Sequence, residues 1–443
     1  MRGTESGLNG DSTVTNTKPR ENDVMCDNSL HSKWLFLAVL TLFATHLAGA
    51  QTPTVPPLSF AELTPSSDDW GSFGPPLAFG ASVAISGTTA AVGIPLYDLL
   101  DASNTNTIEL GRVAVFTQAS DGTWARTASL VPADRQPNEQ AFGSALAMAN
   151  NILIVASGSA VRVFVNKSGT WTQTATLPET PGGFNGDTYP HIAFDGHYFA
   201  YVVGAPTSSD GSGSTAQTFL VHLYSVGASG QPEFLGSLSP SNLYPGGIVL
   251  VNGMLAVKGL DSSGNGLVFV YSANSATPTV PQVLSSGDPT PDSTFGNSIA
   301  IWNQTILVGA PGAFGQPNDN TGGYFSGAAY VFARGANGWV QTQKIVPNNS
   351  AGFGTAVALT QAGALISAPY SDDRLATILG GTTIYVWQGN QLVFANDLAG
   401  HTGTSIALSD TAAIIGTQQM IAPYGFYEYA DIVTVTPGGS KSP

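Results

Sequence analysis

Four histidines follow the apolar segment near the N-terminus: His191, His197, His222 and His401. No two of them are spaced as metal ligands usually are. The single cysteine, Cys26, precedes that segment, and no Gly-rich loop of the phosphate-cradling kind opens a helix. Carboxylates come in loop clusters instead: Asp98 with Asp101, Asn318-Asp319-Asn320, and Asp372-Asp373 followed by Arg374. Such pairs suit glycoside cleavage only at the right separation; in most proteins Asn and Asp at such places build turns. Beside them stand Tyr97, Tyr324, Tyr370, Tyr424, Phe426 and Tyr427. Aromatic rings next to adaptable polar groups are the chemistry of protein and glycan recognition. These residues are expected to bind, with no catalytic residue, metal or cofactor among them.

What must position them is a repeat. The phrase Phe79-Gly80-Ala81-Ser82-Val83-Ala84-Ile85, then Ala91-Val92-Gly93-Ile94-Pro95, then Gly111-Arg112-Val113-Ala114-Val115-Phe116 returns from Phe295 and again from Phe353. Weaker copies start at Phe142, Thr188, Tyr244 and Thr402. A fourth apolar run closes each unit, as Ser129-Leu130-Val131-Pro132 and Lys344-Ile345-Val346-Pro347 do. Short apolar runs bounded by Gly, Pro, Asn and Ser read as strands, so each unit is a four-stranded antiparallel sheet. A sheet this small must stack on neighbours, and radial stacking gives a propeller. The last copy lacks a fourth strand, and Leu58-Ser59-Phe60-Ala61-Glu62-Leu63 matches the missing element. The fold class expected is all-β: a seven-bladed propeller over residues 58–436, closed by an N-terminal outer strand in the C-terminal blade.

The pairing of Phe295-Gly296 with Gly309-Ala310-Pro311 resembles the FG-GAP repeat of integrin α-subunit propellers. The resemblance covers essentially residues 58–436 and implies a secreted or cell-surface recognition and adhesion module. Integrin-type copies often carry an Asp-rich calcium loop between the first two strands. Here those links are short turns, among them Gly87-Thr88, Asn150-Asn151, Asp195-Gly196, Asn252-Gly253 and Asn303-Gln304. They lack the alternating oxygen ligands that calcium requires, so the family's calcium sites are not carried over.

Loop length separates the two faces, because scaffolds keep structural turns short and place recognition on longer loops. The second-to-third links are long in five copies: 96–110, 207–215, 312–326, 370–380 and 417–429. Their face is the one expected to bind a protein or glycan. The acceptor triplets at Asn166, Asn303 and Asn348 fall in turns, two of them on the short-turn face. Residues 34–47 form an apolar run ending near Ala48-Gly49-Ala50, which reads as a signal peptide cut after Ala50, with Met25 as an alternative start. Left uncleaved, the run would tether the chain to a membrane. Residues 51–57 read as a linker and 437–443 as a flexible tail. A formal net charge of −15 makes nucleic acid a poor partner. The competing readings are a secreted polysaccharide hydrolase or lyase with carboxylates or a His at the axial funnel, and a structural matrix protein.

Overall fold

The computed structural model describes residues 58–66, 78–95, 98–100, 107–109, 111–135, 139, 141–158, 160–178, 191–206, 217–239, 243–273, 281–289, 292–313, 326–347, 350–371, 380–409, 412–421 and 425–435. The leader lies outside them. Among the described residues are seven four-stranded antiparallel sheets and two short two-stranded ribbons. Blade one is Val83–Ser86, Thr89–Ile94, Arg112–Gln118 and Trp124–Leu130, paired in that order from axis to rim. The inner strands of the next six are Ala145–Ala149, Ile192–Phe194, Leu243–Val251, Ser298–Trp302, Val357–Leu359 and Ser405–Leu408. Each touches the next around the axis, and Ser405–Leu408 returns to Val83–Ser86, so the ring is closed.

Burial changes from axis to rim. Second strands such as Ile152–Ala156 and Gly363–Ala368 are buried at every position, as strands covered on both faces must be. The outer strand Trp124–Leu130 instead alternates between the neighbouring blade and solvent. Seven apolar clusters fill the blade junctions. Val113 and Val115 of blade one, for example, meet Leu153 and Val155 of blade two, while Val92 and Ile94 face Ile414 and Ile432 of blade seven. A recurrent bulge in the third-to-fourth ladder, at Val115/Phe116, Val163/Phe164 and Val331/Phe332, bends the outer strands away from the sheet.

At one third-strand position three blades carry a side chain that is bonded by the connection arriving from the blade before. In blade two Arg162 bonds Asp134 and Glu139. In blade five the Tyr330 hydroxyl donates to Asp288, which also receives Lys344 Nζ at 3.0 Å. In blade seven Asp431 bonds His401 Nδ1 at 2.6 Å.

The last of these sits at the ring closure. Leu58–Leu63 pairs with the third strand of blade seven from Leu58↔Val435 to Leu63↔Ala430. The Phe60 ring lies on His401, centroids 5.4 Å apart and planes at 16°. The hydrogen bond to Asp431 raises the His401 pKa more than burial lowers it, and the charge of Glu62 adds to the rise. A raised folded-state pKa gives stability that is fully present below the unfolded value of about 6.5 and is lost as pH climbs through the folded value. The stability advantage of wild type over His401→Gln is therefore expected to shrink from mildly acidic to alkaline buffer, followed by denaturation midpoints. An advantage independent of pH would mean that the pair gives no ionic stabilisation.

Candidate functional site

The recurring Phe-Gly and Gly-Ala-Pro phrases meet across blade junctions. Phe79, Phe142, Phe295 and Phe353 are buried there. The glycines that follow them adopt φ of 87°, 92°, 92° and 92°, a left-handed conformation that turns their carbonyls toward the preceding blade. Gly354 O then lies against Gly309, and Gly143 O against Gly93; a Cβ on either second-strand glycine would stand 2.1 Å from that oxygen. In three junctions a serine at the start of the inner strand donates to the same carbonyl: Ser82 to Gly143 at 2.6 Å, Ser298 to Gly354 at 2.8 Å, and Ser405 to Gly80 at 2.8 Å. In blade four Gly247 stands at the serine position, and its backbone N–H bonds Gly296 O at 2.9 Å.

These junctions fix which face is which. Val83 pairs with Val92, so the inner strand begins where the second strand ends. The second-to-third links leave from that same end. A cavity of about 560 Å³ lies there on the axis, walled by Ser82, Ser144, His191, Ser298, Thr355 and Ser405 among others. A second, of about 310 Å³, follows at the far ends of the inner strands. Val83, Leu146, Ile192, Ile248, Ile299, Val357 and Ile406 border both, an aliphatic ring between the two spaces. Burial, helped by the charge of Lys258, pushes His191 down to about 4, so its imidazole is neutral at physiological pH.

Of the residues singled out in the sequence, Tyr97, Asp101, Asn318, Asp319, Tyr324, Asp372, Asp373, Arg374, Tyr424 and Asn348 lie outside the described residues. The backbones of four others are placed. Asp98 pairs with Glu109 in a small ribbon, and Tyr370 with Ala351 in another. Phe426 and Tyr427 pair with Met420 and Gln419. The 417–429 segment is thus not a loop, as its length suggested. Strands two and three of blade seven keep pairing beyond Gly416 to Ile421↔Gly425, a β-hairpin on the cavity side. Continued pairing satisfies backbone groups that an irregular loop would leave to water.

Asn166 and Asn303 border short turns on the opposite face; Asn303 is exposed with φ 52°. The link at Asp195-Gly196 is longer than a two-residue turn: Phe194 pairs with Phe199, and Asp195 Oδ1 accepts from the N–H groups of His197 and Tyr198. The histidines do not converge. His191 borders the cavity, whereas His401, although it lies beside a repeat start, is turned to the rim by Asp431 and Phe60. His197 lies in its turn against Tyr198, and His222 packs against Tyr201 and Phe234. Among the described residues no three His, Cys, Asp or Glu side chains gather as metal ligands.

Sequence reasoning passed over Lys258, which stands in the second-strand slot that Gly93 and Gly309 occupy in their own blades. Aligning Val257-Lys258-Gly259 with Val308-Gly309-Ala310 was the signal available.

No curated protein matches the chain. Among solved structures it is similar to a candidate 6-phosphogluconolactonase of Bacteroides uniformis, at 12% identity and a TM-score of 0.46, over 72% of this chain and 85% of that one. A counterpart from Bacteroides fragilis gives 10%, 0.44, 72% and 84%. Hsv2 of Kluyveromyces marxianus gives 7%, 0.42, 80% and 97%. At these identities their names transfer no activity to this chain. Residues 280–332 match the FG-GAP repeat, spanning the outer strand of blade four and three strands of blade five. With that match and a ring of seven four-stranded blades, the chain fits an FG-GAP repeat propeller.

Proposed function

We propose that this protein is a secreted or cell-surface recognition module that binds a protein or glycan partner on the face bearing the second-to-third links. The observation that carries the reading is the coincidence of three features at one end of the inner strands: the axial cavity, the long links, and the projecting hairpin of blade seven. The other face ends in tight turns such as Asn252-Gly253, with φ of 51° and 72°. An FG-GAP propeller suggests a protein-binding module, and the chemistry around the cavity agrees with binding. Its titratable lining residue is His191, which burial keeps neutral.

The test is binding of the chain from Gln51 to Pro443 to arrays of glycans and extracellular matrix proteins, with and without chelator. Saturable, chelator-insensitive binding is expected. Replacing Tyr424, Phe426 and Tyr427 together by Ala is expected to weaken it by at least about tenfold, as loss of aromatic anchors does. Binding indifferent to that change, or silence across the arrays, would count against the reading.

A further inference from the structure

Lys258 is a charged side chain in a slot that is glycine in three blades and Ala156, Val202 or Ser367 in three others. Where Gly93, Gly309 and Gly416 admit the next blade's carbonyl, blade four carries a side chain and bulges to make room for it. Leu243 pairs with Gly259 and Ile248 with Val257, so Tyr244-Pro245-Gly246-Gly247 loops out opposite Lys258. The crossing is tight: a Cβ on Gly246 would stand 2.2 Å from Lys258 Cδ, so the lysine side chain would have to shift.

The lysine is 4% exposed, and its amine ends between two groups that are themselves exposed. It lies 5.2 Å from the centroid of the Tyr244 ring and donates to Asn297 Oδ1 of blade five. An ammonium has three N–H donors. One goes to a neutral amide and one face is taken by the ring; among the described residues the amine makes no ion pair. Asp292 is near enough to favour the charged form, but its own carboxylate accepts from the Thr294 N–H and hydroxyl. Burial outweighs it and pushes the amine down to about 8. A buried cation whose hydrogen-bond partner is a neutral amide is unfavourable without a counter-ion, and that unmet charge is what a ligand could answer.

We infer that the Tyr244-Gly247 bulge is a binding site for a single carboxylate of a small ligand, with Lys258 as counter-ion and Tyr244 as wall. The Asn297 amide is the group the ligand displaces. A monoanion suits the site better than a dianion, because Asp292 already supplies one negative charge nearby. The site is distinct from the blade-seven hairpin, so it stands or falls separately from the recognition face.

Calorimetric titration of the whole chain with acetate, galacturonate and galactose tests the inference. Both acids are expected to bind and galactose is not; galacturonate binding without acetate would mean that the ring on Tyr244 is needed as well. Affinity should fall as pH rises through about 8, because the bound form requires the protonated amine. Lys258→Met, which keeps the bulk and removes the charge, should lose at least about tenfold in affinity. Asn297→Asp, which places an internal carboxylate on the same amine, should also lose binding and keeps the test open if the first variant folds poorly. The Tyr424, Phe426 and Tyr427 triple variant should bind acetate normally. Equal heats from galactose, binding that survives both substitutions, tighter binding of inorganic phosphate than of the acids, or no heat from either acid would overturn the inference.

Discussion

Gly309→Ala is expected to destabilise the propeller by about 3 kcal/mol, although it adds one methyl group to a strand in ordinary extended conformation. The added carbon would stand 2.1 Å from Gly354 O and 2.3 Å from Ser298 Oγ. The first is backbone of the next blade, fixed by Phe353, which is fully buried. Relief therefore requires prising two blades apart and breaking the Ser298 hydrogen bond with them. Gly87→Ala is the control. Its φ of 56° is unfavourable for a side chain but nothing lies within 4 Å, so the loss there should be about 1 kcal/mol, from conformation alone. Denaturant midpoints of the two variants compare the effects. Equal losses would show that the close approach between blades is not what the glycine serves.

Truncating Arg162 to Ala should be at least as damaging, about 3 to 5 kcal/mol, since it removes the guanidinium that makes two hydrogen bonds to the buried Glu139 carboxylate. Arg162 and Glu139 are both fully buried at their side chains, joined by two guanidinium hydrogen bonds. Ser157 donates to Glu139 at 2.6 Å, and Asp134 takes the remaining Nε–H at 2.7 Å. Burial pushes the Asp134 carboxyl upward, but hydrogen bonds from Gln173, Thr176 and Arg162 outweigh it and hold it well below the usual carboxylate range. The network fastens the connection from blade one onto blade two. Replacing Arg162 by Met and Glu139 by Leu together should recover most of the loss, because the cost of the single change lies in a buried carboxylate that has lost its two guanidinium hydrogen bonds. A double variant no better than Arg162→Ala, judged by denaturation midpoint, would mean that the network acts chiefly through packing.

Both predictions concern contacts between blades, and the sequence was uneven as a guide to them. The repeated phrase of Phe-Gly, apolar pair and Gly-Ala-Pro showed how many blades there are and how the ring closes. The glycines and serines of that phrase turned out to be one device, Ser82, Gly93 and Gly143 at one junction and Ser298, Gly309 and Gly354 at another. In the sequence they stand only as residues that bound the strands. Length misled at blade seven, where Gln418 to Ile421 and Gly425 to Tyr429 continue a ladder. A chain of these residue types pairs whenever a neighbouring strand is already in register.

The architecture is legible along the chain, because every blade solves the same problem of burying two faces of a small sheet, and the solution is local enough to be written seven times. Where the exceptional residues went depended on how one blade packs upon the next. His401 was drawn from a repeat start to the rim by Asp431, 30 residues later in the chain, and Arg162 was paired with Glu139, 23 residues before it. Lys258 was buried in a glycine slot and set against Asn297, 39 residues on, at the edge of the next blade. Each pairing joins side chains whose order along the chain carries no periodic signal, and only the closing of one blade upon the next brings them within reach.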